Sequence, residues 1–275
     1  MRTARALLFV AVSCLTSLLC TLAWSSQPHH RWDHTLLIVN YNHPFYDSIP
    51  FLKQLYGKEF PHIVFYGEKP LKDVETVQHH QGWYGQRVLE HAMRTWPHYA
   101  GYLMINDDCL INYWNFHRFD QKKIWLVSSE HVKLEENSTT GGWWQSPCGF
   151  EASTRAFRSM SSRQRMALER HVGPHTFTVG MADVVYIPHR YRSRFLKLCP
   201  AFNEVFLEIG VQTMCATLAP PSRCEKLRAT FLWGDDRKKY QEAYSPEIDF
   251  LHPVKFSDPA CQRFAEERIH AYENR

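Results

Sequence analysis

The sequence has no block of basic residues, no Cys-x-x-Cys pair, no internal repeat, no low-complexity tract and no second long apolar run beyond its first 24 residues. Each absence removes a class of protein. A net charge of +4 spread along 275 residues argues against a nucleic-acid partner, because such proteins concentrate Lys and Arg in a patch. Without paired Cys-x-x-Cys or a His-Cys cluster, a structural zinc site is not expected. With neither repeats nor linker-like tracts, one large domain is the economical organisation.

What is present begins with a candidate membrane segment. Arg2 and Arg5 precede Ala6–Trp24, a run without charge that is close to the roughly 20 residues a bilayer-spanning helix needs. The flanking arginines favour an inside amino terminus and a translocated remainder. Residues 1–24 are therefore expected to be a signal anchor, giving a single-pass type II membrane protein. Small residues at Ala23 and Ser25 keep cleavage and secretion open as the alternative. Both place the body in the secretory lumen or outside the cell. Asn137-Ser138-Thr139 is a glycosylation acceptor, which implies an exposed loop. Six cysteines lie beyond the apolar run, Cys109, Cys148, Cys199, Cys215, Cys224 and Cys261, and in an oxidising compartment one to three disulfides are expected, their pairing open.

Residues 25–34 read as a short polar stem and 35–275 as one α/β domain. Strands are expected at Leu36–Val39, His62–Tyr66, Tyr102–Ile105, Ile124–Val127 and Val184–Ile187. Helices are expected at Tyr46–Leu55, Trp83–Thr95, Tyr191–Leu198, Phe206–Leu218 and Cys261–Tyr272. The alternation of strand and helix over the first three strands predicts a mostly parallel central sheet flanked by helices. Glu130–Gly149 reads as a long polar loop. Aromatic residues make up 14% of the chain, which suits a sugar-facing surface or a dense core equally.

The chemistry-bearing feature is Gly101-Tyr-Leu-Met-Ile-Asn-Asp-Asp-Cys-Leu110. Its four large apolar residues suit a strand covered on both faces, and the chain turns polar at Asn106-Asp107-Asp108. Ligands of open α/β sheets bind beyond the carboxyl ends of strands, so carboxylates there can hold a divalent ion against a diphosphate. Asn-Asp-Asp is also a common turn.

A strand-end acidic pair in a luminal α/β domain behind one anchor resembles a nucleotide-sugar glycosyltransferase of the GT-A type. The usual motif there is Asp-x-Asp, and Asn106 departs from its first position. More narrowly, Phe51–Gly57, Phe60–Gly67, Gly101–Leu110, Asp183–Pro188 and Phe206–Ile209 resemble the glycosyltransferase-like region of the STELLO family, in order across residues 35–256. The large additional regions of the plant members have no counterpart in this sequence, and partners tied to them are not carried over.

The resemblance implies a Golgi-luminal enzyme that uses Mn²⁺ or Mg²⁺ to move a sugar from a nucleotide donor to a glycan or protein acceptor. It implies Asp107 and Asp108 as metal ligands, joined by the late His252, with Lys255 near the diphosphate. Glu208, at the start of an apolar helix, takes the place of a general base facing the acceptor, and Asp236 of Asp235-Asp236 is its rival. A first-turn glutamate that steadies its helix, and an ordinary Gly-Asp-Asp turn, are the plain alternatives for these two. Asn40, Tyr41 and Asn42, at the end of the first strand, would lie near the nucleotide base and ribose, and Asn106 is a further substrate-binding candidate. Trp143 and Trp144 in Gly141-Gly-Trp-Trp would form a closing flap or anchor the loop in the core. Asp183 would orient the acceptor or cap its strand. A non-catalytic Golgi scaffold that keeps the fold, favoured by Asn106, and a secreted carbohydrate-binding protein are the competing classes.

Overall fold

A computed structural model describes residues 31–134 and 144–274. The expected anchor, most of the stem, Asn137 and Trp143 lie outside the described residues. Among the described residues no helix is long and apolar enough to cross a membrane.

In chain order the strands are β1 (Thr35–Asn40), β2 (Ile63–Gly67), β3 (Val74–Thr76), β4 (Gly101–Asn106), β5 (Leu110–Ile111), β6 (Trp125–Leu126), β7 (Glu130–Lys133), β8 (Thr176–Val179), β9 (Val184–Pro188), β10 (Glu225–Lys226), β11 (Ala229–Phe231) and β12 (Phe250–His252). The longer helices are α1 (Ile49–Tyr56), α2 (Gln86–Thr95), α3 (Ala152–Ser159), α4 (Ser162–Val172), α5 (His189–Leu196), α6 (Leu207–Leu218) and α7 (Pro259–Glu273). Seven strands form the central sheet in the order β10-β6-β9-β4-β1-β2-β3. It is mostly parallel; β9 alone runs against both of its neighbours.

Both faces of this sheet are covered. Leu36, Ile38, Tyr102, Met104, Val185 and Ile187 pack on one side beneath α2, α3, α5 and α6. Leu37, Val39, Leu103, Ile105, Val184 and Tyr186 pack on the other against α1, α7 and β12. Period-2 alternation therefore separates two apolar cores, which is why β1 and β4 read as unbroken hydrophobic runs. The aromatic residues are largely core: the twelve largest fully buried side chains are all Trp, Tyr or Phe. Trp125 stacks on Tyr186 with ring centroids 4.0 Å apart.

Three expectations change. The region expected to be a long loop opens as strand β7, which pairs antiparallel with β8 more than 40 residues later; local sequence carries no trace of so distant a partner. Helices α3 and α4 have no counterpart among the expected elements. Helix α4 buries a single residue, Leu168, so it has no apolar stripe, and it starts on a capping box between Ser161 and Gln164. The disulfides are absent: Cys109, Cys148, Cys199, Cys215, Cys224 and Cys261 are all free thiols. Five of them are buried and packed as small hydrophobes.

Candidate active site

The site forms where three strand ends meet. Asn40 and Asn106 are register partners at the carboxyl ends of β1 and β4, and Asp183 immediately precedes β9. The backbone ties them together: the Asn106 N–H donates to the Asp183 carbonyl (2.9 Å), and that of Asp107 to the Asn40 carbonyl (3.0 Å). The chain then reverses through Asp107 and Asp108 into β5. That two-residue strand pairs antiparallel with β12, Leu110 opposite Leu251. The Val254 N–H donates to the Asp108 carbonyl at 2.7 Å. This pairing brings His252 and Lys255 beside a carboxylate far back in the sequence.

Asp108 lies under two basic groups. Its Oδ2 contacts the Lys255 ammonium, and its Oδ1 is 3.1 Å from His252 Nε2. Asp183 Oδ1 approaches the same ring nitrogen at 3.4 Å. Asn106 links this group to the sheet. Its Nδ2 donates to Asp183 Oδ1 (2.8 Å), and its Oδ1 accepts from Asn40 Nδ2 (3.1 Å). Asn40 Nδ2 also donates to Asn42 Oδ1 at 3.1 Å. An amide at position 106 both donates and accepts, which a carboxylate cannot do, so Asn106 is the bridge of this network.

The protonation pattern follows from crowding three carboxylates into a buried space. Burial opposes ionisation of Asp108, but the His252 and Lys255 contacts outweigh it and hold its pKa well below the usual range. Asp107 is pushed well above that range, first by burial and then by the Asp108 charge. Burial also raises Asp183, with the nearby His252 pulling the other way. For His252, burial disfavours the imidazolium, yet Asp183 and Asp108 together lift its pKa above the ordinary value. Glu208, in the first turn of α6, is pushed up to about 7 by burial and by the Asp183 charge, with His252 opposing. Its carboxyl therefore feels the same cluster, through Asp183 and His252.

Asp107, Asp108, His252, Lys255, Gln81 and Arg237 all line one cavity of about 350 Å³. Gln81 and Arg237 carry no motif. Gln81 is presented by a turn in which His80, Gln81 and Gly82 all have positive φ. A Cβ on Gly82 would lie 1.9 Å from Asn42 Oδ1, so this wall needs glycine in order to close on Asn42. Arg237 stands one residue after the expected base Asp236. That carboxylate is exposed and pairs with Lys239 at 2.8 Å, outside the cluster. Trp144 does not line the cavity: it is buried in the helical core, edge-on to Phe150 at 5.7 Å, as a loop anchor is.

A buried Asp-Cys-His group here can bind a metal ion: one ligand atom each from Asp108, Cys109 and His252 lies within 4.8 Å of the others. Asp108 Oδ1 and Asp183 Oδ2 are buried with no aligned hydrogen-bond donor, despite the short approach of His252. Orphaned carboxylate oxygens of this kind are what a cation would satisfy. Two ligands each about 2.2 Å from one ion, at right angles, sit about 3.1 Å apart, which is the Asp108–His252 separation. Cys109 fits a hard ion less well. It is a soft ligand whose thiol pKa is raised by burial and then by the Asp183 and Asp108 charges. The donor set does not choose between Mn²⁺ and Mg²⁺.

The fold is a mixed α/β domain with a buried group at its strand ends that can bind a metal ion, and comparison with known proteins narrows the class. No family model matches the chain. It is 19% identical over 241 residues to "Probable glycosyltransferase STELLO1" of Arabidopsis thaliana, covering 82% of this chain and 31% of the relative. It is 19% identical over 247 residues to "Probable glycosyltransferase STELLO2" of the same plant, covering 83% and 31%. The chain is thus STELLO-like along most of its length and spans about a third of the curated relatives it matches.

Proposed function

We propose that the chain is a metal-dependent glycosyltransferase of the Golgi lumen, held by its amino-terminal anchor, that moves a sugar from a nucleotide-sugar donor to a glycan or protein acceptor. The observation that carries this reading is the convergence of Asp108, His252 and Lys255 on one cavity at the carboxyl ends of the strands, with Asp183 against the His252 ring behind them. Asp108 and His252 would hold the cation, with Asp183 beside them. A divalent cation supplies neutralisation of the charge that develops on a departing diphosphate. Lys255 and Arg237 add positive charge along the same rim. Asp107, with its carboxyl held up towards the neutral form, suits a hydrogen-bonding role better than direct ligation.

Glu208 is the group to take the acceptor proton. The acceptor hydroxyl oxygen bonds to the anomeric carbon, the bond from that carbon to the diphosphate oxygen breaks, and the hydroxyl proton passes to the Glu208 carboxylate. A base titrating near 7 is matched to that task at neutral pH. Asn106 does not weaken this assignment, because it bridges Asn40 and Asp183 and leaves ligation to Asp108 and His252. The test is binding and hydrolysis of a panel of nucleotide sugars by the full chain with Mn²⁺ or Mg²⁺. Wild type is expected to turn over at least one donor and Asp108→Ala to do so on the order of 10³-fold more slowly; no binding to any donor would sink the proposal.

A further inference from the structure

A cavity larger than that of the candidate active site lies elsewhere. About 990 Å³ opens between α4, α5 and the carboxyl end of α6, lined by Lys123, Arg163, Arg170, Arg190, Arg194 and Arg223 without one Asp or Glu. Glu208 begins α6 and this groove takes its other end, so the length of that helix, about 18 Å, separates the two sites. Arg163 and Arg170 project from one face of α4, two turns apart. Arg190 and Arg194 flank the Tyr191 ring at 4.6 and 5.0 Å, and Arg194 Nη2 also donates to the Leu218 carbonyl at 3.2 Å. Lys123 pairs with Glu225 at 2.9 Å. No carboxylate among the described residues pairs with any of the five arginines.

Five exposed arginines facing one concavity with no internal counter-charge repel one another, and an external polyanion relieves that repulsion. We propose that this groove binds an acidic glycan, a chain carrying sulfate or carboxylate groups, remote from the reaction cavity. Three features select that class. Guanidinium groups pair with sulfate and carboxylate through parallel hydrogen bonds. The concave shape suits an extended chain rather than a planar bilayer. The one Phe, Tyr or Trp ring lining the groove, Tyr191, is 8% exposed and already flanked by two arginines, and the His171 ring is tied to the Ala216 carbonyl at 2.7 Å, so neither offers a free platform for stacking the bases of a single-stranded nucleic acid. The choice of glycan over acidic peptide rests on the glycosyltransferase reading, and the groove then marks the acceptor, or its carrier chain, as anionic.

The experiment measures binding of a fluorescent heparin-derived oligosaccharide to the full chain by anisotropy, across a salt series. The triple variant Arg163→Gln/Arg170→Gln/Arg223→Gln is expected to bind at least tenfold more weakly, with its melting temperature unchanged. The slope of log affinity against log salt should fall by about 2, as lost charge contacts release fewer counterions. Equal binding by wild type and variant would overturn the groove. Oligo-dT or poly-glutamate binding as tightly as the oligosaccharide, with the same dependence on the three arginines, would overturn the glycan assignment. Asp108→Ala is expected to bind the oligosaccharide like wild type, so an inactive enzyme and an idle groove give separate results.

Discussion

The two ends of α6 present opposite solutions to clustered charge. At its start, three buried carboxylates are crowded together and held by an internal set of partners: His252, Lys255, Asn106 and the β5–β12 pairing. At its far end, five arginines are exposed, and no described carboxylate answers them. Buried charge must be compensated inside the protein, whereas exposed like charge can await a partner in solvent. The first site is therefore built into the folding of the domain, and the second is an addition to its surface. Substitutions should separate them along that line.

The largest effect is expected at the carboxylate end. Asp108→Ala should lower sugar transfer on the order of 10³-fold and abolish metal-dependent protection against thermal unfolding, read by calorimetry with and without Mn²⁺. Next comes Glu208→Gln, expected to lower kcat by about 10²-fold or more with little change in donor binding. The pH profile sharpens this. Glu208 is raised from its ordinary 4.5 to about 7, so activity of the wild type should decline as pH falls through about 7. Its raised pKa also means that the Glu208 contribution to folding stability is fully present below about pH 4.5 and is lost as pH rises through about 7, a dependence Glu208→Gln should remove.

A smaller change tests the bridge. Asn106→Ala frees buried polar groups on Asn40 and Asp183 and should cost about 1–3 kcal/mol in urea unfolding. Asn106→Asp would place a fourth carboxylate in the cluster and is expected to cost more stability than Ala. At the arginine end, the triple glutamine variant should leave donor hydrolysis without acceptor unchanged. The smallest effect belongs to Asp236→Asn. Its carboxylate is exposed and paired only with Lys239, so stability should shift by less than about 0.5 kcal/mol and activity not at all. A large loss there would reassign the base.

The same contrast explains what could be read from sequence. The apolar runs of β1, β4 and β9, and the amphipathic spacing of α2, announce themselves because each is decided by neighbours within a few residues. The Asp107-Asp108 pair is legible for the same reason. Its partnership with His252 depends on the register of strands two and three residues long, too short to carry any period. Asp183 reads as a strand cap because nothing local reveals Asn106 beside it. The basic groove is the clearest omission. Its cations are drawn from Lys123 to Arg223 and never form a run, so even charge along the chain becomes concentrated charge in space. Helix α4, with one buried side chain, hides for want of an apolar stripe.

The contact between Asp108 and Lys255 spans 147 residues. A ribosome extending the chain at 5–20 residues per second would expose Asp108 roughly 7–30 s before its lysine is made. Throughout that interval β5 has no β12 to pair with, and the loop bearing Asp108 cannot close. An ion held between Asp108 and His252 would have to arrive after β12 is made, whatever the nascent chain meets on the way. A product that terminates before β12 would keep the parallel core of the sheet and yet be unable to load the ion. A loaded site would thus report that translation has passed β12.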